Sequence, residues 1–516
     1  MIRNYLCKAG LFLVLMTVII SCSGRKERAG TPPPNIIWIY ADDHDQRAIS
    51  AYSDRLVQTP NIDRIAGEGI LFSRSFVTNS ICAPCRAVLL TGKHSHLNGV
   101  SGNRAPFDGS QQTFPKLLQK EGYRTALVGK WHLHSLPTGF DYWNILPGQG
   151  NYYNPRFIEM GDTSVRNGYV TDVTTEIALE FLKSREEEDR PFCLMLHQKA
   201  PHGPWMPAPE DLLRYRDHSF PVPATFFSDC SLRGTAACEQ NIEIHDRFAE
   251  KPTLAKMYDR KPDTLMAPDW LRWLISRLSE EEQALFDSCY LADNRRFLQS
   301  ETGDSAAALW YYQRYIRDYI RCVEAIDENV GRVLDYLDKS GLAENTIVFY
   351  SSDQGFYLGD HGWYDKRFMY DISMSTPLLA RWPGRIEPGS VCDELVQNLD
   401  MAQTMLDLAG AEIPANMQGI SLLPLLTGET GSSQRSALYY HYYEHPHFHN
   451  VYPHYGIRTH TSKLIHFYTL DEWEFYDLES DPQELINQIG NPRYRPLIDS
   501  LRSELFRLQE HYDHQL

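Results

Sequence analysis

Short apolar runs of strand length alternate along this chain with stretches of helical spacing, and this alternation limits the folds that the chain can adopt. Four runs are rich in β-branched and aromatic residues, as strands buried on both faces are. They are residues 35–41, 125–128, 192–196 and 346–350. Between the last two, apolar residues recur every three or four positions over residues 309–337, which predicts one long helix. The pattern predicts an α/β fold with a mostly parallel sheet.

Polar residues follow each of the four predicted strands at the point where the strand ends. Carboxylates and an amide follow the first and fourth strands, whereas lysine and histidine follow the second and third. The residues are Asp42 and Asp43, Lys130 and His132, Lys199 and His202, and Asp353 and Gln354, with His361 and Lys366 further on. Ligands of open α/β sheets bind beyond the carboxyl ends of the strands. We therefore expect the four clusters to converge on one crevice.

The oxygen-bearing side chains at two of these strand ends suit a hard divalent cation. Asp42 and Asp43 follow the first strand, and Asp353 and Gln354 follow the fourth. Ca²⁺ prefers oxygen ligands of this kind, and no histidine or thiolate pattern at these positions favours zinc. Taken alone, Asp42 and Asp43 are also typical of a turn or a helix cap. A second acidic strand end favours the metal site.

Residues 82–92 read Cys-Ala-Pro-Cys-Arg-Ala-Val-Leu-Leu-Thr-Gly and predict a short helix. Pro84 suits the first helical turn, and Gly92 suits the C-terminal stop. Cys82 then lies at a helix N-terminus, which favours anions, and Arg86 lies one turn further on the same face, where it can hold an oxyanion. A redox Cys-x-x-Cys pair or half of a zinc site also fits these residues. The chain has no second Cys-x-x-Cys, which disfavours a zinc ribbon.

This run also resembles the active-site signature of the type I sulfatases, Cys-x-Pro-x-Arg followed by a short helix that closes in Thr-Gly. The same family's pattern matches the residues after three strands, namely 129–132, 199–202, and 353–355 with His361 and Lys366. In that family the first cysteine, here Cys82, is oxidised after synthesis to formylglycine, whose hydrate attacks sulfur. The resemblance covers nearly the whole chain from Pro34. It implies an alkaline-phosphatase-like fold, with a large, mostly parallel mixed sheet flanked by helices.

The resemblance also implies a role for each residue of the cluster. The implied ligands of Ca²⁺ are the modified Cys82 together with Asp42, Asp43, Asp353 and Gln354. Lys130 and Lys366 would hold sulfate oxygens, and His132 would orient the hydrated formylglycine. His202 or Lys366 would protonate the leaving oxygen, and Arg86 completes the catalytic set. These are electrostatic and acid–base contributions of the usual kind.

Further runs make the chain resemble the N-acetylglucosamine-6-sulfatase branch of the family. They are residues 59–63, 139–143, 146–150, 363–369 and 454–459. The branch implies a 6-O-sulfated glucosamine at the non-reducing end of a glycan such as heparan sulfate. We expect His454 and Arg458 of the smaller domain to reach over the cleft and bind the sugar. The chain departs from the family at Cys85, where serine is usual, and at Gly203 and Ser375, where relatives often carry arginine.

The chain divides into four predicted parts. These are a lipoprotein signal peptide (1–21), the lipidated cysteine with its tether (22–34), the catalytic domain (35–410) and a C-terminal α+β subdomain (411–516). Residues 216–308 break the alternation and are predicted to be an insertion near the cleft. In the subdomain, four short strands and a helix near residues 494–512 predict a small antiparallel sheet with one helix. A histidine-rich run there, residues 441–454, either lines the sugar pocket or is a solvated loop.

The N-terminus has the features of an exported protein. Basic residues precede an apolar core over residues 10–20, which is too short to span a bilayer. Residues 19–22, Ile-Ile-Ser-Cys, resemble a bacterial lipobox with Cys22 as the membrane anchor, and a plain secretory signal is the alternative. We expect a lipoprotein of the periplasm or outer membrane. Export permits disulfides; the spacing of the cysteines fixes no pairing, and Cys230 and Cys238 are the first candidates.

Charge and chemistry define the expected partners. A formal net charge of −17 and a pI of about 5.6 argue against nucleic acid, and a sulfated oligosaccharide would have to be bound by local cations. The resemblance adds a formylglycine-generating maturation enzyme. Two other functions stay open: a phosphodiesterase or phosphonate hydrolase of the same fold, or, if Cys82 is never oxidised, a lipoprotein that binds sulfated glycans without cutting them.

Overall fold

The computed structural model describes residues 32–185, 190–258, 269–300, 302–429 and 435–514. Within it, Pro33–Leu516 forms one compact unit. The predicted signal peptide and Cys22 lie outside the described residues, and the predicted boundary at 410/411 stays a prediction. Across the described ranges, no helix combines the length and apolar character that crossing a bilayer requires.

A ten-stranded mixed sheet forms the centre of the described structure, as the sequence predicts. Its strands are β1 (Asn35–Asp42), β2 (Ile70–Phe72), β4 (Arg124–Lys130), β5 (Tyr142–Leu146), β6 (Arg156–Glu159), β7 (Asp162–Val165), β8 (Phe192–Pro201), β9 (Thr346–Ser352), β10 (Leu378–Arg381) and β11 (Ser390–Cys392). Their order is β11-β2-β10-β9-β1-β8-β4-β5-β6-β7, and β3 (Ser75–Phe76) pairs separately with β12 (Val396–Gln397). The four predicted strands are the adjacent, mutually parallel β9, β1, β8 and β4.

Helices cover both faces of the large sheet. The helices in the described residues are α1 (Pro60–Gly67), α2 (Cys82–Thr91), α3 (Ser95–Asn98), α4 (Phe114–Lys120), α5 (Val170–Lys183), α6 (Thr235–Glu239), α7 (Ile244–Glu250), α8 (Asp269–Ile275), α9 (Glu280–Gln299), α10 (Asp304–Ser340), α11 (Asp371–Met374), α12 (Met401–Leu408), α13 (Leu423–Leu426) and α14 (Arg495–His511). The predicted long helix is α10, which extends a few residues beyond both predicted ends.

Alternation along β1 separates the two faces of the core. Ile37 and Ile39 pack into the apolar cluster that contains α1, α5 and α10, whereas Trp38 and Tyr40 pack into the cluster that contains α2, α4 and α12. Because helices cover both faces, the carboxyl edge of the parallel strands is the place where side chains from many elements can meet a ligand.

A second, four-stranded antiparallel sheet follows, as predicted. Its strands are β13 (Ala437–Tyr442), β14 (His454–Thr459), β15 (Ser462–Phe467) and β16 (Glu472–Asp477), paired in that order. Apolar residues of α14 pack against this sheet. The region predicted as an insertion contains α6 to α9. Cys230 and Cys238 form the expected disulfide.

Candidate active site

Three buried carboxylates meet at the ends of two neighbouring parallel strands. β1 ends at Asp42, and β9 lies beside it with Ala41 opposite Ser352, so that Asp353 follows at the same edge. Asp43 turns away from the strand with a positive φ of 67°, and its backbone N–H donates to Asp353 Oδ1 at 3.0 Å. Carboxylate oxygens of Asp42, Asp43 and Asp353 all lie within 4.8 Å of one another.

Each carboxylate contacts a cation from a different element. Lys130, the last residue of β4, donates to Asp42. Lys366, from the loop between β9 and α11, donates to Asp43 Oδ2 at 2.7 Å. Arg86 of α2 donates to Asp353 Oδ2 at 2.9 Å. All six side chains are buried. Residues at or after the ends of β1, β4 and β9, three of the four predicted strands, thus meet in one place.

The compensation of charge is uneven among the three carboxyl groups. Burial opposes ionisation of Asp42, but Lys130, His202 and Arg86 outweigh it and hold its pKa well below the usual value. Burial and the charge of Asp42 raise the pKa of Asp353 to about 8, and burial likewise raises that of Asp43. The three cations therefore do not fully stabilise the ionised form of all three carboxyl groups.

Cys82 is the first residue of α2 and is fully buried beside this cluster. The helix ends as predicted at Gly92, which has a left-handed φ of 62°. The Cys82 Sγ lies 3.6 Å from Gln354 Nε2. Burial raises the pKa of the Cys82 thiol to about 12, although the charges of Lys130 and Lys366 act against the shift. An unmodified Cys82 is a neutral thiol at pH 7 and thus a poor nucleophile.

The second cysteine of the run points to different partners. The Cys85 Sγ lies 3.0 Å from Asn398 Nδ2 and 3.3 Å from the Tyr40 hydroxyl. Both Cys82 and Cys85 are free thiols, and burial raises the pKa of each. A redox pair needs an accessible thiol of lowered pKa, so this geometry disfavours the redox alternative.

Two histidines complete the crevice. His202 Nδ1 lies 2.8 Å from the Gly203 carbonyl oxygen, so Nδ1 carries the proton and Nε2 faces Asp43 Oδ2 at 3.8 Å. His132 Nε2 lies 3.1 Å from Gln149 Nε2. Burial lowers the pKa of both imidazoles, and Lys130 adds to the effect, so both are neutral at pH 7.

Comparison with known proteins agrees with this geometry. A family model described as Sulfatase matches residues 34–411. The chain belongs to the sulfatase family. A second model, N-sulphoglucosamine sulphohydrolase, C-terminal, matches residues 359–511. The predicted family, fold class and enzyme class, a sulfuric ester hydrolase, are confirmed.

Three relatives of this sulfatase are informative. It is 45% identical over 508 residues to an N-acetylglucosamine-6-O-sulfatase of Bacteroides thetaiotaomicron, covering 97% of this chain and 91% of that protein. It is 26% identical to the human N-acetylglucosamine-6-sulfatase over 83% of this chain and 70% of the relative. A solved structure in complex with its substrate, D-glucosamine-2-N,6-O-disulfate, superimposes with a TM-score of 0.90 at 46% identity, covering 93% of this chain and 98% of that one.

His454 and Arg458 of the sulfatase contact other residues of the protein. His454 is buried, and its Nε2 accepts from the Met369 N–H at 3.0 Å. Arg458 donates to Asp371 Oδ2 at 2.8 Å, and its guanidinium lies 4.4 Å from the centre of the Phe76 ring. Both side chains therefore bind other parts of the protein, and the sugar contacts expected of them stay a prediction. They lie four residues apart on β14 and so share one face of the strand.

Other charged residues lie next to Lys366 of the crevice. Asp365 and Arg367 flank Lys366, and Arg367 Nε donates to Asp365 Oδ1 at 2.9 Å. From the histidine-rich run, His449 Nε2 lies 3.5 Å from Asp365 Oδ2, and Glu444 accepts from Arg367 at 3.2 Å. The histidine-rich run therefore lies near the crevice. This position agrees with the first of the two locations expected for the run, the lining of the sugar pocket. In the sequence, the three consecutive charged residues 365–367 were the feature that could have indicated these neighbours of Lys366.

The donor set of the sulfatase fits a hard divalent cation. Asp42 Oδ1 and Gln354 Oε1 are buried, and neither has a hydrogen-bond partner among the described residues. Both are oxygens, as are the nearby carboxylate atoms of Asp43 and Asp353, and oxygen ligands are those that Ca²⁺ and Mg²⁺ take. The family implies a divalent metal and a formylglycine, and the residues present can accommodate both.

Tyr319 of α10 fixes the loop that carries Asp43. Its hydroxyl accepts from the Asp45 N–H at 2.9 Å and donates to the Asp43 carbonyl oxygen at 2.8 Å. We predict that Tyr319→Phe lowers the free energy of unfolding by about 1–3 kcal/mol, because two buried backbone groups lose their partner. The matched control is Tyr311→Phe on the same helix, where burial alone accounts for the shifted pKa of the hydroxyl. Urea unfolding measures both, and equal losses in the two variants would contradict the role of Tyr319.

Proposed function

We propose that this sulfatase hydrolyses the 6-O-sulfate of glucosamine or N-acetylglucosamine at the non-reducing end of glycosaminoglycan-type glycans. The observation that carries the proposal is the convergence of Cys82, Lys130 and Lys366 on one buried crevice. The substrate class is supported by a curated relative, 45% identical, that is an N-acetylglucosamine-6-O-sulfatase, and by a solved structure, 46% identical, in complex with D-glucosamine-2-N,6-O-disulfate as its substrate. The identity extends over more than nine-tenths of the chain, which favours sulfate esters over phosphodiesters or phosphonates.

We infer that Cys82 acts after conversion to formylglycine by a maturation enzyme. The neutral, buried thiol cannot supply a thiolate, whereas the hydrated aldehyde supplies the oxygen that attacks sulfur. Lys130 and Lys366 act on Cys82 from two directions with positive charge. Such fixed charges stabilise negative charge that develops on sulfate oxygens.

The remaining polar residues position these groups and move protons. Arg86 holds Asp353 and also donates to the Lys130 carbonyl oxygen at 2.9 Å, so it fixes two elements of the crevice. His132 is held by Gln149 and is available to orient the hydrated residue 82. The leaving alkoxide needs a proton. Lys366 Nζ carries one at the crevice, whereas His202 Nε2 can give one only after it has first taken it up.

Ca²⁺ is the proposed metal, held by Asp42, Asp43, Asp353, Gln354 and the modified residue 82. Carboxylate and amide oxygens favour it over zinc. A divalent charge also relieves the repulsion that raises the pKa of Asp353.

The protein is further proposed to be an exported bacterial lipoprotein of the periplasm or outer membrane, anchored through a lipid on Cys22. The support is the lipobox-like sequence at residues 19–22. Incorporation of labelled fatty acid that persists in Cys22→Ser would contradict the anchor.

The nucleophile is tested by two cysteine variants. In a host that modifies only cysteine, Cys82→Ser should lose turnover by orders of magnitude with an unchanged unfolding temperature. Cys85→Ser should keep most activity, because a hydroxyl can replace the contacts to Tyr40 and Asn398. The mass of the peptide that contains Cys82 should report oxidation of the thiol to the aldehyde. An active Cys82→Ser protein together with an inactive Cys85→Ser protein would overturn the assignment.

The metal is tested on the purified protein. Elemental analysis should find calcium, and a chelator should lower the unfolding temperature, because Lys130, Lys366 and Arg86 alone then compensate the repulsion among the three carboxylates. Restoring Ca²⁺ to about 100 times its dissociation constant should return about 2.7 kcal/mol of stability. Asp353→Ala should abolish this Ca²⁺-dependent gain. Stoichiometric zinc without calcium is the outcome that rejects Ca²⁺.

The substrate is tested with positional isomers and two histidine variants. We expect 6-sulfo-N-acetylglucosamine to be preferred over its 3-sulfo counterpart, 4-sulfo sugars, galactose 6-sulfate and a phosphonate monoester. His449→Ala should cost roughly 1–3 kcal/mol of transition-state stabilisation for the sugar, which lowers kcat/KM about 5- to 150-fold. The kcat/KM for a small aryl sulfate should not change. His445→Ala, in the same run but exposed and stacked on Tyr452, is the matched control. Preference for a galactose or 4-sulfo substrate would refute the branch and leave the sulfatase chemistry standing.

A further inference from the structure

A second cluster of cations surrounds a cavity away from the carboxylate crevice. The cavity has a volume of about 190 Å³ and lies among α9, α10 and the segment before Phe220. Its charged lining residues are the arginines Arg216, Arg296, Arg314, Arg317 and Arg321 and the aspartates Asp217 and Asp293. The excess of arginine contrasts with the net charge of −17 of the whole chain. A cavity of this composition is a positive pocket on an acidic protein.

The cavity and the crevice lie on opposite sides of α10. Tyr319 faces Asp43, whereas Arg317 and Arg321 line the cavity. Two residues along an α-helix correspond to a rotation of about 200°. The cavity is therefore separate from the site where sulfate esters are cut.

Two of the arginines are buried in the wall yet keep unpaired N–H groups. Arg321 is 1% exposed; its Nη1 donates to Asp318 at 3.0 Å and its Nε to the Arg214 carbonyl oxygen at 2.8 Å. Its Nη2 has no hydrogen-bond partner in the described part of the chain. Arg314 is 3% exposed and donates to Asp293 at 2.6 Å, but its Nε is likewise without a partner there. Buried donors left unpaired are costly, which points to a ligand.

The acidic neighbours are already shared among several cations. Asp293 accepts from both Arg314 and Arg296, the second at 3.1 Å. Asp318 lies 3.0 Å from Lys256 Nζ as well as from Arg321 Nη1. The nearby carboxylates therefore do not neutralise the cluster fully.

Arg317 forms no ion pair with a carboxylate among the described residues. Its Nη2 donates only to a backbone carbonyl, that of His218, at 3.0 Å, and its Nε has no partner in the residues described. Burial lowers its pKa, and the positive charges of Arg321 and Arg314 add to the shift against the opposing charge of Asp318. An anion in the cavity would relieve this repulsion.

We propose that this cavity binds a sulfate-type oxyanion, either inorganic sulfate or a sulfate group of a glycan. Guanidinium groups bind tetrahedral oxyanions through paired N–H donors, and the bonds are charge-assisted. Trp310 lines the same cavity beside Arg314, 4.9 Å from its guanidinium. The choice of sulfate among oxyanions rests on the proposed function, because sulfate is then both part of the substrate and the product.

Equilibrium dialysis with labelled inorganic sulfate tests the site in the full-length protein. Two sulfates per chain are expected, one in the crevice and one in the cavity. Arg317→Gln should weaken the cavity site about tenfold, the effect of one charge-assisted hydrogen bond, and Lys366→Ala should remove only the crevice site. Arg507→Gln, an exposed ion-paired arginine of α14, is the matched control. Because Arg317 is only partly buried, the variant should fold, and the unfolding temperature checks this.

A sulfated tetrasaccharide without 6-O-sulfate distinguishes the two sources of the anion. Binding of the tetrasaccharide that falls in Arg317→Gln and persists in Arg507→Gln identifies a glycan sulfate, whereas such behaviour of inorganic sulfate alone identifies the free ion. If Arg317→Gln changes the binding of neither probe, the proposal is wrong. If the wild-type protein shows no sulfatase activity but its anion binding still depends on Arg317, the proposed function is refuted and the cavity site is retained.

Discussion

Three buried carboxylates at one sheet edge, each contacted by a cation from a different element, are the interaction on which the arrangement of the site depends. Burying a carboxylate is costly unless it is paired and hydrogen-bonded. Asp42, Asp43 and Asp353 can share one place only because β4, α2 and the loop before α11 deliver Lys130, Arg86 and Lys366 to them. Elements far apart in sequence are thereby tied to a common point, and the nucleophile-bearing helix is among them.

The parallel sheet and much of this cluster were predictable from the sequence, for local reasons. Buried strands in α/β folds read as continuous apolar runs, and the polar residues after them fall at one edge by topology alone. The helix from Cys82 follows equally from Pro84 and Gly92, because both residues have strong positional preferences in helices. Such signals lie within about ten residues of the feature that they predict.

The wall of the crevice was not predictable in the same way. A strand pattern at residues 455–459 identifies β14 but not which element each of its faces meets, and His454 and Arg458 lie on the face that contacts Met369 and Asp371. The approach of His449 to Asp365 depends instead on the packing of a long loop from the second sheet. Contacts of that range have no local pattern, so the sequence predicted the loop and left its position open.

The complete burial of Cys82 has a consequence for the life history of the protein. A maturation enzyme has to surround the side chain that it oxidises, and neither the thiol nor the helix around it is accessible once the sheet and α2 have packed. The modification proposed here must therefore be made on an extended chain, in competition with folding. Under that proposal, a molecule that folded first would be trapped as a stable but inert product. The yield of active enzyme in a cell would then be set by the relative speed of two events, oxidation and packing, rather than by the amount of polypeptide made.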